Sequence, residues 1–509
     1  MKPSLRNLLL ILLLALALRL IALGSRTLWY DEAFAVLFSE KGLDAMLYGT
    51  LTPVNGSAAD VHPLLYYTTL DGWMRVFGQS PTAVRLYSVL IGLLTIGVLY
   101  RLGSELFDER TGQIAAIITA LAPFNVQYSQ EARMYALLGL LLVAATWCLV
   151  RGWRTGQMRF WIGFGLLAGL GMYTQQLAAF YLVVLGLLPF LARRRQAMIR
   201  LTVGAGLALV IYLPWLVYLP SQFGKIGAYW VPRPGILQPL ITLWSFLFAD
   251  LPARAVPVVV LSLTTLSVLL VFLIYRVLKT FRHPNPDRAP LALTLALTAG
   301  PIGLMWLVSQ WRPVYLTRAL LPAGLMFYLA LAWLLTRARL PRPIRAALTV
   351  LWLATAAVGL VTQYTWHTFP RPPFDVADQF IAARWQPGDR VVHASKITML
   401  PMTYYDRSLP QAYVRDTPGS SEDTLARPTQ ETLGLLADDC AAAAARGSSR
   451  VWFVIFQQQI EQQGGASPSL DWMETHYHRV SLESFNDLLV YLYDQPDEIA
   501  RSARCEASS

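Results

Sequence analysis

Long apolar stretches, about eleven of them, punctuate this chain, and a helix of roughly 20 such residues is what crosses a bilayer. They fall near 7–24, 82–102, 111–125, 132–150, 160–176, 177–192, 201–219, 255–278, 290–309, 317–336 and 343–362. A backbone in hydrocarbon must satisfy its own N–H and C=O groups, so stretches of this length predict a polytopic α-helical membrane protein. The 111–125 stretch is short, and the fifth and sixth nearly fuse around Tyr173 and Gln176. Only 14% of the 509 residues are charged, against about 25% in ordinary soluble chains.

Charge sets the expected orientation. Arg151, Arg154 and Arg159; Arg276, Lys279 and Arg282; and Arg337, Arg339, Arg342 and Arg345 cluster in alternate connections. The positive-inside rule places such connections in the cytoplasm. The SELFDER turn near 103–110 is the one connection on that side without a basic excess. The N-terminus is then cytoplasmic, the first span reads as an uncleaved signal anchor, and eleven crossings leave the C-terminal segment outside a plasma membrane. The net charge of +11 divides unevenly, because from Pro370 onward twelve basic residues face nineteen acidic ones. The basic excess is therefore mostly topological, and a nucleic-acid partner is not expected.

Two domains follow: 1–365, carrying the spans, and 366–509, an extracytoplasmic α/β domain. In the second, FDVADQFIAARW predicts a helix and RVVHA a buried strand. A helix over about 429–446, the strand RVWFVIF and a closing strand pair in HRVSLESFNDLLVYLY complete a small three-layer unit. It contains no GxGxxG or P-loop pattern. Cys440 and Cys505 lie in this domain and can pair in an oxidising compartment, although two free thiols are the favoured expectation. Between the spans, residues 25–80 carry an amphipathic segment, VHPLLYYTTLDGWMRVFG, expected as a helix lying in the interface. The Pro-, Trp- and Gly-rich stretch 220–252 reads as a flap, with Tyr229 and Trp230 as either sugar-stacking rings or interface anchors.

Polar groups gather at one end of these spans. Asp31 and Glu32 follow the first, and Asp60 and His62 lie in the first loop. Gln127, Glu131, Arg133 and Tyr135 separate the third from the fourth, while Tyr315 and Arg318 precede the tenth. Under the expected topology all face one side, and ionisable groups at that depth are costly unless used. Arg19, within the first span, requires a bundle partner that the sequence does not identify.

The motifs LWYDEAFA, HPLLYY, QYSQEARMYAL and RPVYLTRALLPA, in this order across about residues 7–340, resemble the C-type membrane glycosyltransferases, in the protein-mannosyltransferase and aminoarabinose-transferase (family 39-like) branch. The resemblance implies a GT-C-like bundle and an inverting glycosyltransferase. It would move a hexosyl or pentosyl group from a polyprenyl-phosphate-linked donor in the bilayer to an extracytoplasmic acceptor, whether protein, lipid or glycan. It also implies an acidic base after the first span. The C-terminal domain departs from those branches, which leaves the acceptor open.

The residue chemistry accords with that expectation. Single displacement requires a carboxylate to take the acceptor proton and cations to stabilise the departing phosphate. Asp31 is the candidate base, with Glu32 beside it as support or acceptor guide; the competing use of the pair is a helix cap with a first-turn glutamate. Arg133 and Arg318 have the planar donors that match phosphate, or they snorkel from helix ends. His62 and Tyr315 are further candidate donors to phosphate, and Glu131, Tyr135 and Asp60 are supporting candidates, Glu131 by holding Arg133. Asp60, His62 and Glu32 together have the chemistry of a divalent-metal site, although no pair among them has a diagnostic spacing. A transporter or flippase of lipid-linked sugar is the alternative class, and it would be expected to show mid-span charges and repeated halves.

Overall fold

The computed structural model describes residues 3–54, 57–191, 195–226, 231–249, 255–416, 425–465, 467–502 and 505. Each of the eleven apolar stretches carries helix. Seven helices among the described residues are long and apolar enough to cross a membrane: Pro81–Leu106, Tyr135–Thr155, Gln196–Leu216, Val256–Arg282, Arg288–Val308, Thr317–Thr336 and Arg342–Tyr364. The expected count of eleven is not reached by this criterion. Glu109–Leu121 has 13 residues, Ala178–Leu191 has 14 and Met158–Thr174 has 17. The 111–125 stretch breaks at Ala122-Pro123, because proline opens a new short helix, Pro123–Ser129.

Local chemistry fixes where the helices begin. Ser80 accepts from Ala83 N and Pro81 occupies the first turn of Pro81–Leu106. Asp108 accepts from Thr111 N at 2.8 Å to start Glu109–Leu121. The other Asp108 oxygen pairs with Arg337 at 2.6 Å, which explains how the SELFDER turn does without a basic excess of its own. The two helices on either side of this turn pack closely, since a Cβ at Gly112 would stand 2.5 Å from the Tyr100 carbonyl. Arg19 is fully buried and donates to Asn125 Oδ1 at 2.6 Å and to the Ala15 and Ala120 carbonyls at 3.1 Å. Asn125 is thus the partner that the sequence left unnamed.

Besides a small antiparallel pair, β1 (Pro53–Val54) and β2 (Ser57–Ala58), all strands among the described residues lie in the C-terminal region. They are β3 (Asp389–His393), β4 (Gln411–Val414), β5 (Ala437–Asp438), β6 (Arg450–Phe456), β7 (His478–Phe485) and β8 (Leu488–Asp494). Their order is β5-β4-β3-β6-β8-β7, parallel from β5 to β6 and antiparallel beyond. Alternation along β6 builds two cores. Trp452, Val454 and Phe456 face the Phe374–Ala382 and Lys396–Tyr405 helices, while Val451, Phe453 and Ile455 face the Ala441–Ala444 and Pro468–His476 helices.

Two expectations fail in this region. The helix over 429–446 is instead Arg427–Leu433, β5 and Ala441–Ala444, because Gly434 turns left-handed at φ 75° and stops the first piece. Cys440 and Cys505 are disulfide-bonded rather than free, with Cα atoms 5.7 Å apart.

The sheet region is fastened to the first loop. Leu28 N donates to Tyr405 Oη at 2.9 Å, Thr27 Oγ1 to the Pro372 carbonyl at 2.7 Å, and Thr429 Oγ1 to the Gly49 carbonyl at 2.8 Å. Arg407 forks onto Glu40 at 2.9 and 3.0 Å.

Candidate active site

Asp31 and Glu32 occupy the first turn of the helix Tyr30–Ser39. The cap position is Trp29, with no side-chain cap bond, so neither carboxylate serves as the helix cap. At adjacent positions on a helix the two side chains diverge by about 100°, and here they meet different partners.

Asp31 is the more exposed of the two, at 9% against 0% for Glu32. Arg318 Nη1 donates to Asp31 Oδ2 at 2.8 Å, and Arg133 Nε stands 3.7 Å from the same oxygen. Arg133 Nη1 also donates to the Asp31 carbonyl at 3.1 Å. The Arg318 guanidinium lies over the rings of Trp29 and Tyr135, at 5.8 and 5.4 Å, which sets its plane. Burial pushes the Asp31 carboxyl up, but the nearby Arg133 and Arg318 outweigh it and hold it below the usual carboxylate range. Two guanidiniums share one carboxylate here. Arg133 Nε, Arg318 Nε and Trp29 Nε1 are also buried without a hydrogen-bond acceptor among the described residues. Buried donors of this kind are costly unless an acceptor arrives.

Glu32 is closed off. Both its oxygens take donors from Arg85, at 2.8 and 2.7 Å, and Ala132 N adds a third at 2.9 Å. Arg85 spends its remaining donors on the carbonyls of Leu23, Arg26 and Thr27. Burial raises the Glu32 carboxyl, and Arg85 more than reverses this, so it stays ionised below the usual range.

Glu131 does not hold Arg133 as expected. It pairs in the interior with Arg371, just beyond the last helix of the bundle. Burial keeps its carboxyl above the usual range despite Arg371. Gln130 Nε2 donates to the carbonyls of Arg19 and Ile21, and its Oε1 accepts from Arg26 at 3.0 Å. The stretch 130–134 is thereby stitched to the end of the first span.

His62 and Asp60 pair through Nδ1 and Oδ1 at 2.8 Å. Glu32, saturated by Arg85 and Ala132, does not join them, and no group of three potential metal ligands gathers among the described residues. The metal site suggested by Asp60, His62 and Glu32 is therefore not formed. Tyr315 is bonded to Thr242 at 2.7 Å, not to either arginine. Tyr135 lies beneath Arg318, and Tyr67 Oη receives Arg133 Nη1 at 3.4 Å. Tyr229 and Trp230 lie outside the described residues. Arg85, Arg371, Trp29 and Tyr67 were not singled out from the sequence. An arginine a few residues inside the outer end of a span was the available sign for Arg85.

With 97% of this chain and 99% of the other aligned, the structure is similar to ArnT from Cupriavidus metallidurans bound to undecaprenyl phosphate, at TM-score 0.60 and 12% identity. It is also similar to the Archaeoglobus fulgidus oligosaccharyltransferase, at TM-score 0.56 and 13% identity, over 97% of this chain and 74% of that one. The fold is that of the C-type membrane glycosyltransferases. A family model described as dolichyl-phosphate-mannose-protein mannosyltransferase matches residues 61–218. Over 168 residues the chain is 30% identical to the undecaprenyl phosphate-alpha-4-amino-4-deoxy-L-arabinose arabinosyl transferase of Pseudomonas aeruginosa strain UCBPP-PA14. That stretch is 31% of each protein, so the chain matches less than a third of the length of this curated relative. Within the C-type fold, the matched family segment includes His62 and Arg133, while Asp31 and Arg318 fall outside it.

Proposed function

We propose that this protein is an inverting glycosyltransferase that takes a sugar from a polyprenyl-phosphate-linked donor and delivers it to an acceptor on the Asp31 face of the membrane. The observation that carries this reading is the surplus of guanidinium at Asp31: Arg133 and Arg318 face one carboxylate and keep buried N–H groups unanswered. A donor phosphate supplies the missing acceptor oxygens with matching geometry. The undecaprenyl phosphate named for the ArnT structure and the dolichyl-phosphate-mannose named for the family model are lipid-linked chemistry of this kind. The transporter alternative finds no support among these relatives.

In the proposed step the phosphate lies on Arg133 and Arg318 and draws Arg318 away from Asp31. The acceptor oxygen or nitrogen attacks the anomeric carbon from the face opposite the phosphate. The bond from that carbon to the phosphate oxygen breaks, its electron pair leaves with the phosphate, and the acceptor proton passes to Asp31. One exchange thus loads the cations and frees the base. His62 and Asp60, beside this face, are proposed to border the donor, with Tyr67 and Tyr135 fixing the arginines. Tyr315 is left as a packing residue, Glu131 as a counter-ion for Arg371, and Glu32 as the anchor of Arg85. The positive-inside pattern supports a plasma-membrane protein with a cytoplasmic N-terminus and residues 366–509 outside, as a separate domain over the acceptor side.

The pH profile tests this arrangement. Asp31 is held low, so its carboxylate persists above the lowered value and is lost only as pH falls through it. The acid limb of kcat/KM is therefore expected below the ordinary carboxylate range. Arg318→Gln removes one counter-charge and leaves burial to act, so the limb should move to higher pH while the donor KM rises about tenfold or more. An acid limb unmoved by Arg318→Gln would remove Asp31 from the role of base.

A further inference from the structure

At the opposite end of the bundle from Asp31, three helices meet around a cavity of about 420 Å³. Arg101 and Glu105 come from the last turns of Pro81–Leu106, Trp147, Arg151 and Arg154 from the end of Tyr135–Thr155, and Phe160 from the start of Met158–Thr174. Arg151 Nη1 reaches Glu105 at 2.9 Å and Arg154 stands 3.9 Å from the same oxygen. Two guanidiniums therefore face one carboxylate, which is largely buried at 10% side-chain exposure, while Arg151 and Arg154 remain about half exposed at 44% and 46%; Arg101 lines the same cavity. Arg151 and Arg159 also lie over the Phe160 ring, at 5.9 and 4.9 Å.

The cavity lies about one bilayer thickness from the Asp31 end of the bundle. From Arg85 to Arg101, and from Tyr135 to Arg151, each helix rises about 24 Å, close to the hydrocarbon thickness of roughly 30 Å. The cavity is thus remote from the chemistry at Asp31.

We propose that this cavity binds the phosphate of an anionic phospholipid of the leaflet opposite the active site. Arginine forks suit a phosphodiester, Trp147 and Phe160 line the cavity as headgroup-level aromatics do, and basic pockets between helices take such lipids. A free phosphate shares the head chemistry but has no acyl chains to hold it at the bilayer.

Native mass spectrometry of the full-length protein in detergent tests this with phosphatidylglycerol and phosphatidylcholine of identical chains. Phosphatidylglycerol should be retained at least about tenfold better. The triple variant Arg101→Gln/Arg151→Gln/Arg154→Gln should abolish that preference, and the triple lysine variant should keep part of it. The lysine variant retains the charges and lacks the forks, so it decides the matter if the glutamine variant does not fold: a preference equal to wild type overturns the proposal. Equal retention of both lipids, or a preference untouched by the glutamine variant, overturns it too. Displacement of phosphatidylglycerol by millimolar inorganic phosphate, with no effect of chain length on retention, would assign the cavity to free phosphate and overturn the lipid.

Discussion

Asp31→Asn should lower sugar transfer at least about a hundredfold, the low end of what a positioned general base contributes, while donor binding holds or tightens. The second half of that expectation distinguishes a base from a binding residue. In the resting site Asp31 competes with any incoming phosphate for Arg318, which it holds at 2.8 Å. Neutralising the carboxylate while keeping its shape leaves both guanidiniums to the donor. Transfer of labelled sugar and donor affinity, measured on the same purified preparation, give the split directly: kcat falls and the dissociation constant does not rise. Loss of donor binding in step with loss of transfer would make Asp31 a binding residue and return the search for a base to the rest of the face.

Glu32→Gln, one residue away, should behave in the opposite manner. Its carboxylate is wholly buried, it carries a forked bond from Arg85, and it accepts the Ala132 N–H. Removing one charge of a buried pair leaves the other uncompensated, at a cost of about 3–5 kcal/mol. Thermal unfolding in detergent should therefore shift down strongly for Glu32→Gln and for Arg85→Met, and less for Asp31→Asn, whose carboxylate and Arg318 partner are more exposed than the Glu32–Arg85 pair. A Glu32→Gln protein that melts like wild type yet transfers no sugar would promote Glu32 to a direct role. Adjacent carboxylates of equal formal charge thus separate by assay, one through rate and the other through stability.

The sequence made parts of this legible and hid others for physical reasons. Apolar runs locate helices because a bilayer tolerates little else, so all eleven stretches carry helix. Length decides crossing, however, and in the run 177–192 the helix Ala178–Leu191 has only 14 residues. In the sheet region, short continuous apolar runs in RVWFVIF and RVVHA marked the central, buried strands. The stretch 429–446 read as one helix, but a left-handed turn at Gly434 and a short strand divide it, so that of the alanines before Arg446 only 441–444 keep the helix. Asp31, Arg133 and Arg318 were visible as charges at span ends and do meet. The pairing of Glu32 with Arg85 and of Glu131 with Arg371 was not visible, since contacts across 53 and 240 residues leave no local pattern. Tyr315 belonged to the same visible class, yet Thr242 holds it. Charge at a span end shows that a partner exists and not which one.

The clasp between Glu131 and Arg371 bears on how the protein is made. Glu131 enters the bundle early in synthesis, and its counter-charge comes 240 residues later. Leu28, three residues before the acidic helix-start residue Asp31, waits longer still, for the hydroxyl of Tyr405. A chain stalled after the last bundle helix would hold a carboxylate in the interior with no cation to meet it, and the segment before Asp31 would lack its outer tether. The interior around Glu131 and the tether at Leu28 are then completed only after residue 405 has been made. A truncated product would present an unsettled interior instead of a finished bundle.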